Sequence, residues 1–206
     1  MCGRYVVTNA VTKTKGLVKS AIQIEDNENY NAHPYQQLPV IKKYTNGSAL
    51  EKLKWGIVPS WSKKKEFKPL INSRLETIDE KISFKKLIKL KRCVAIADGF
   101  YEWKRTEKEK KPYFFQRVDK KIIYFAGIYD ENEFCLITEQ ASENVLEIHY
   151  RQPVILNQKD LKNYLDLQFD GSAFLKEAKK PRLEFYEVSK DVNKPTNNSV
   201  SLLQKN

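Results

Sequence analysis

The stretch Arg92-Cys93-Val94-Ala95-Ile96-Ala97-Asp98-Gly99-Phe100-Tyr101-Glu102-Trp103-Lys104 decides the fold. An apolar run, Cys93–Ala97, meets the turn pair Asp98-Gly99, and a second strand pattern, Phe100–Lys104, begins at once. Working outward, the same texture recurs. Tyr113–Arg117, Ile122–Tyr129, Phe134–Thr138 and Val154–Leu156 read as strands, and Phe185–Ser189 as a last one. Upstream, Arg4 to Val7 reads as a short strand, while Leu38–Tyr44 and Ala49–Val58 flank Asn46-Gly47, a strong hairpin signal. The charged stretch Arg105–Lys111 is expected to be a mobile hairpin loop. Helices are few. Thr8-Asn9 is placed to cap one across Thr12–Ile22, with Leu17, Val18, Ala21 and Ile22 on one face. Thr77 with Glu80 resembles a capping box opening a helix to about Lys91, with Ile78, Ile82, Phe84, Leu87 and Ile88 as its apolar set. Gln158–Leu167 gives a third. Many short strands and few helices in irregular order predict an α+β fold with an antiparallel, barrel-like β core and a few flanking helices. There is no internal repeat and no linker-like segment, so residues 1–206 are expected to form a single domain. Its polar end, Asn193–Asn206, is expected to be partly disordered.

Composition narrows the function. Hydrophobic residues make up 41% and aromatics 12%, too many for a disordered chain. Lysine and arginine number 37 against 26 acidic residues, a net charge of +11 that points to an anionic partner, nucleic acid first. No segment approaches the roughly 18–20 apolar residues needed to cross a bilayer, so no membrane partner is expected. The N-terminus lacks an apolar signal core. Cys93 and Cys135 lie in apolar runs and read as buried free thiols, which imply the cell interior; with the basic charge, a cytoplasmic, nucleoid-associated protein is expected. His33 and His149 are the only histidines and neither has ligand spacing, so neither a metal nor another cofactor is expected.

The chemistry concentrates at the start, Met1-Cys2-Gly3-Arg4-Tyr5. Methionine is generally trimmed before a small residue, and its removal would leave Cys2 with two nucleophiles on adjacent carbons. These are a thiol of reference pKa about 8.5 and an α-amine near 7.7–8.0. Such a 1,2-aminothiol attacks an aldehyde through its amine and closes a thiazolidine ring through its thiol; it can also attack an acyl carbon. Further segments combine polar groups with turns: Asn72-Ser73-Arg74-Leu75-Glu76, Ala97–Trp103, and His149-Tyr150-Arg151-Gln152-Pro153. Glu102 lies between aromatics, where a desolvated carboxyl can shuttle protons; a strand glutamate that faces solvent or pairs with lysine is the plain alternative. Asn72 can orient the cysteine, or simply make a turn. His149 titrates near neutrality and can assist proton transfer, or sit satisfied at a strand edge. Arg4, Arg74 and Arg151 are forks suited to phosphate oxygens. Trp55, Trp61 and Trp103 can stack on bases, or fill the core.

With Trp55-Gly56-Ile57-Val58-Pro59-Ser60-Trp61, these segments resemble the SRAP (SOS response-associated peptidase) family from Cys2 to about Val192. The resemblance implies an SRAP fold and a role in the DNA damage and SOS response. It implies a monomer that binds single-stranded DNA and captures the aldehyde of an abasic site on Cys2 as a covalent thiazolidine crosslink. Lyase and self-processing peptidase activity are implied beside it, with Cys2, Asn72, Glu102 and His149 as catalytic residues. It places Gly3, Pro34 and Thr138 on the DNA side with the arginines and tryptophans. Tyr150 and Gln152 depart from the family's aspartate and methionine, and Ser73 from its alanine. Glu139, within Thr138-Glu139-Gln140-Ala141-Ser142, would put a negative charge near the DNA path. The other enzymatic reading is a cysteine peptidase on peptide substrates, with Cys2 as nucleophile, His149 as base and Asn72 as oxyanion donor. A non-catalytic nucleic-acid-binding module is a third.

Overall fold

A computed structural model describes residues 2–21, 24, 28–62 and 67–206. Its strands are β1 (Tyr5–Val7), β2 (Ser20–Ala21), β3 (Asn29–Ala32), β4 (Gln37–Tyr44), β5 (Gly47–Trp55), β6 (Asn72–Arg74), β7 (Arg92–Ala97), β8 (Gly99–Arg105), β9 (Lys110–Arg117), β10 (Ile123–Asp130), β11 (Glu133–Gln140), β12 (Arg151–Pro153), β13 (Ile155–Leu156) and β14 (Leu183–Glu187). The helices are short: α1 (Ala10–Lys15), α2 (Leu87–Leu90), α3 (Glu143–Leu146), α4 (Leu161–Leu165) and α5 (Gly171–Glu177). Antiparallel pairing links β11, β10, β7, β4 and β5 in that order. A parallel pairing of β5 with β11, Lys54 opposite Glu133 and Trp55 opposite Phe134, closes these five into a ring. Closure removes the open edges that such apolar strands would otherwise expose. The second sheet runs β14-β9-β8-β1-β3. This is the expected α+β class with an antiparallel, barrel-like core.

The stretch 92–104 is the seam between the two sheets. Strand β7 belongs to the ring, β8 to the second sheet, and Asp98 is the single residue between them. A Cβ at Gly99 would lie 2.2 Å from Phe114 Cζ and 2.6 Å from the Phe115 carbonyl oxygen, so only glycine fits at the crossing. Asp98 is committed to structure: its Oδ2 accepts from the backbone nitrogens of Thr8 (2.7 Å), Asn9 (3.0 Å) and Ala10 (3.2 Å) and from Thr8 Oγ1 (3.1 Å). It thereby satisfies the orphan donors at the start of α1, and the Asn9 side chain does not cap.

Several local expectations need correction. The predicted helix across Thr12–Ile22 is α1, six residues long, and Ser20–Ala21 instead pairs parallel with β5. Leu17, on the predicted buried face, is 39% exposed, and Ile22 lies outside the described residues. The predicted helix from Thr77 to Lys91 is a 3-10 turn at Leu75–Thr77, further turns, and α2. Ile82, which the helical face needed inside, is 74% exposed, while Ile78, Phe84, Leu87 and Ile88 are buried. Burying that irregularly spaced set bends the chain along the barrel surface. The stretch Arg105–Lys111 is a tight hairpin: β8 and β9 pair out to Arg105 opposite Lys110, and Thr106 N donates to Glu109 O at 2.9 Å. The last strand lies two residues earlier than expected, at β14.

The terminal residues Asn193–Asn206 are ordered, not disordered. Strands β1, β8 and β9 are apolar on both faces. One face joins Tyr5, Phe100 and Phe115 to the main core; the other carries Val6, Tyr101 and Phe114. That second face needs a cover, and Val188, Val192 and Leu202 supply it. Asn31, itself buried, donates through Nδ2 to the carbonyls of Lys194 (3.0 Å) and Asn197 (2.9 Å), fastening the segment down. Truncating Leu202, which is 2% exposed, to alanine is expected to cost roughly 2–5 kcal/mol. Urea denaturation would read this as a lower midpoint, and an unchanged midpoint would mean that the segment carries no packing energy.

Candidate active site

Cys2 precedes β1 and is fully buried at the edge of the main core. Its Sγ donates to Arg4 O at 3.8 Å. Burial pushes its thiol well above the ordinary value, and the negative charge of Glu102 pushes the same way. Tyr5 pairs with Phe100, and Tyr101 N donates to Arg4 O at 3.0 Å. Continuing this antiparallel register brings Glu102 beside Gly3 and Cys2, which accounts for the electrostatic coupling. Glu102 is 2% exposed, and burial lifts its carboxyl to about 7. The plain alternative of a solvent-facing glutamate is thereby excluded.

Asn72 opens β6, which pairs parallel with β11, Asn72 opposite Leu136. Its Nδ2 donates to Cys2 O at 2.9 Å, tying two segments seventy residues apart. Its Oδ1 is buried and has no hydrogen-bond partner among the described residues. His149 leads into β12 on the other edge of β11, half-buried. Its Nδ1 lies 2.9 Å from Arg151 O and 3.1 Å from Arg151 N, so this nitrogen faces the Arg151 backbone. Burial lowers its pKa, which keeps the imidazole neutral at physiological pH. The sheets thus bring Cys2, Glu102 and Asn72 together, and place His149 just ahead of β12, with β11 between it and the strand of Asn72.

Other expected site residues divide by accessibility. Arg74 is exposed, Trp61 is 56% exposed, and Gly3 and Pro34 are half-exposed, all compatible with a DNA surface. Trp55 is not: it is fully buried between Tyr5 (5.0 Å) and Phe134 (6.3 Å), and its Nε1 donates to Ile71 O at 2.9 Å. Thr138 is also fully buried, its Oγ1 donating to Ser73 O at 3.1 Å. Arg151 is 7% exposed and does not present its fork to solvent; it makes a bidentate pair with Glu76 at 2.7 and 2.9 Å. Arg4 spends its Nη1 on Asn31 Oδ1 and Val192 O, both at 2.7 Å, and Trp103 donates to Asn193 Oδ1 at 2.7 Å. Both are tied to the terminal cover rather than held open for DNA. Glu139 does not add a bare charge: it accepts from Gln152 Nε2 at 3.1 Å and faces Lys180 at 3.7 Å. Gln152 and Glu139 are thus bonded to each other across the β11–β12 pairing.

Two residues escaped sequence reasoning. Tyr150, 60% exposed, stacks on His149 with ring centroids 4.7 Å apart. Glu76 pairs with Arg151; both stood in quoted segments, but their seventy-five-residue separation hid the contact. Among the described residues, no group of three or more histidine, cysteine, aspartate or glutamate side chains is placed to hold a metal, and no helix is long and apolar enough to cross a membrane.

A buried cysteine at position 2 beside a buried carboxyl, on a ring-closed α+β scaffold, defines the class. The chain belongs to the SOS response associated peptidase (SRAP) family, whose model matches residues 1–195. Among individual proteins, it is 32% identical to the abasic site processing protein YoqW of Bacillus subtilis (strain 168), across 99% of both chains. It is 28% identical to the abasic site processing protein YedK of Escherichia coli (strain K12), again across 99% of both. The fold matches a crystal structure of a Bacteroides thetaiotaomicron protein with a TM-score of 0.77 at 23% identity, covering 97% of this chain and 91% of that one.

Proposed function

We propose that this chain processes abasic sites, capturing the open-chain aldehyde of the lesion in single-stranded DNA as a thiazolidine on Cys2 after loss of Met1. The observation that carries this reading is a buried carboxyl of pKa about 7, Glu102, electrostatically coupled to Cys2, with Asn72 bonded to the Cys2 carbonyl. Relatives similar across the whole chain are named for abasic site processing, which supports the same reading.

The α-amine adds to C1′ of the ring-opened sugar, forming a carbinolamine. Glu102, protonated half the time near neutrality, gives a proton to the departing hydroxyl, and water leaves to give an imine. The thiol then adds across the C=N bond: sulfur bonds to carbon, and the thiol proton ends on nitrogen. A buried thiol that stays protonated suits this order, amine first and thiol second. It suits the peptidase alternative poorly, since that needs a thiolate paired with His149, whereas the Cys2 Sγ bonds to Arg4 O. Asn72 Oδ1, buried and unpartnered among the described residues, accepts from the new amine and aims its lone pair in this reading. His149, held neutral, assists proton transfer at the imine. The exposed Arg74 and Trp61 hold the strand through phosphate and base contacts, and the +11 charge draws it in.

Intact-mass measurement after mixing with a single-stranded oligonucleotide carrying one abasic site tests this directly. The expected species is protein minus methionine plus DNA less water, absent with an undamaged strand and with Cys2→Ala. Protein lacking methionine that forms no adduct would reject the proposal.

A further inference from the structure

Trp61, Ile82 and Leu90 are 56%, 74% and 53% exposed, and all three line one cavity of about 300 Å³. Ile82 and Leu90 stand outside because Phe84, Leu87 and Ile88 anchor the same segment to the core. Exposed apolar clusters rimmed by charge mark interaction sites on soluble proteins. The loop side of the cavity is held in place: Val58 N donates to Glu133 Oε2 at 2.8 Å, and the Trp61 ring meets Phe67 edge-on with centroids 5.9 Å apart. The turn after β10, with Asp130 and Glu131, closes the far wall.

The charges around the cavity define what it takes. Residues 81–91 hold five lysines, Lys81, Lys85, Lys86, Lys89 and Lys91, and no acid. Lys91 is bonded to Asp130 at 2.6 Å. The other four are exposed and have no ion-pair partner among the described residues, and Lys86 lies on the cavity wall itself. Asp130 is thus neutralised, and Glu131, the other acid of the wall, can accept from the exocyclic amino group of a base. An apolar slot with one aromatic face and a rim of unpaired cations suits a single strand, whose base stacks while its phosphates meet the lysines. A base inside a duplex has both faces covered by its neighbours and cannot enter. A second copy of this chain fits poorly, because a symmetric dimer would set the same lysines against themselves.

We propose that this cavity is a nucleobase subsite, which takes one unpaired base of the bound strand, stacked on Trp61 and resting on Ile82 and Leu90. Lys86 and the lysines beside it hold the flanking phosphates. The proposal rests on single-stranded DNA as the partner, and it gives the strand a hold that needs neither Cys2 nor the lesion.

The test uses the Cys2→Ala protein and an undamaged oligonucleotide, so that no covalent step enters. Fluorescence anisotropy should show Ile82→Ser weakening single-strand binding about tenfold, with an unchanged slope against log salt, because no cation is lost. Binding to a blunt duplex should stay the same. The double change Lys85→Ala and Lys86→Ala should instead lower the salt slope. Both apolar side chains are mostly outside the core, and Leu90→Ser is expected to behave like Ile82→Ser. Affinities of both variants within twofold of the parent would overturn the proposal, as would a parent that does not bind the undamaged strand. An equal loss on the duplex would overturn it too, since no base face is offered there. A concentration-dependent dimer, lost in Ile82→Ser with DNA affinity intact, would assign the patch to a second copy and overturn it. Capture of the lesion is read separately. Wild-type protein that makes no adduct, while Ile82→Ser still weakens binding, refutes the crosslink and leaves this subsite standing.

Discussion

Replacing Glu102 by glutamine is expected to slow crosslinking about a hundredfold or more while making the protein more stable at neutral pH. The two effects have one cause. Glu102 is buried, and its carboxyl titrates at about 7 instead of the ordinary 4.5. Below pH 4.5 the group is protonated in both folded and unfolded chains and contributes no pH dependence. Between 4.5 and 7 the folded chain holds a proton that the unfolded chain has released, so stability falls as pH rises. Above 7 the loss is complete, about 3 kcal/mol for a shift of this size. Glutamine fills the same space without the charge. Its Tm should match the wild type near pH 4.5 and exceed it by roughly 6–12 °C at pH 8. Catalysis pays for that gain. General acid–base help from a group of matched pKa contributes about 10²–10⁴-fold, and glutamine cannot transfer a proton. Melting curves that run parallel from pH 4.5 to 8 would refute the buried-carboxyl account, and wild-type crosslinking by the variant would refute its role.

Cys2→Ser should separate the two halves of the proposed reaction. Serine after Met1 is small enough for the methionine to be trimmed, so the amine and its neighbours Asn72 and Glu102 are retained. The imine should still form and be trappable by borohydride. The hydroxyl is a far weaker partner for ring closure than the thiol, so the adduct that survives heating without borohydride should drop at least a hundredfold. The open imine is then exposed to β-elimination, and strand cleavage should rise. A variant that gives neither a trappable adduct nor cleavage would show that the amine does not act first. Cys2 is fully buried, so circular dichroism of the variant must first match the wild type.

The reading of the chain from its residues went furthest where the signal is local. The hairpin about Asn46-Gly47 is present as β4 and β5 with Tyr44 opposite Gly47, because that turn chemistry needs no distant partner. The helical readings failed where the pattern depended on which apolar residues the rest of the molecule would cover. Ile82 and Leu17 satisfied the periodicity and stayed outside. The terminal segment was misjudged for the mirror reason. Its few apolar residues, Val192 and Leu202 among them, look sparse in isolation but fit the outer face of β1, β8 and β9. That face was legible in Phe100-Tyr101-Glu102-Trp103, where neither parity of residue is polar throughout.

The amino-acid sequence by itself determined that the chain is a strand-rich α+β protein, with the family's motifs in order and Cys2 poised to become a terminal aminothiol. Those properties follow from residue type and short-range spacing. Only the tertiary structure decided which polar residues gather around Cys2 or stay exposed and which serve the scaffold. Trp55, Thr138 and Arg151 look as suited to DNA as Trp61 and Arg74 do, but the first three lie inside the folded molecule. The raised pKa of Glu102 is likewise a property of burial, created when β1 is laid against β8. Burial and partner choice are sums over segments far apart in the chain, and no window of sequence contains them.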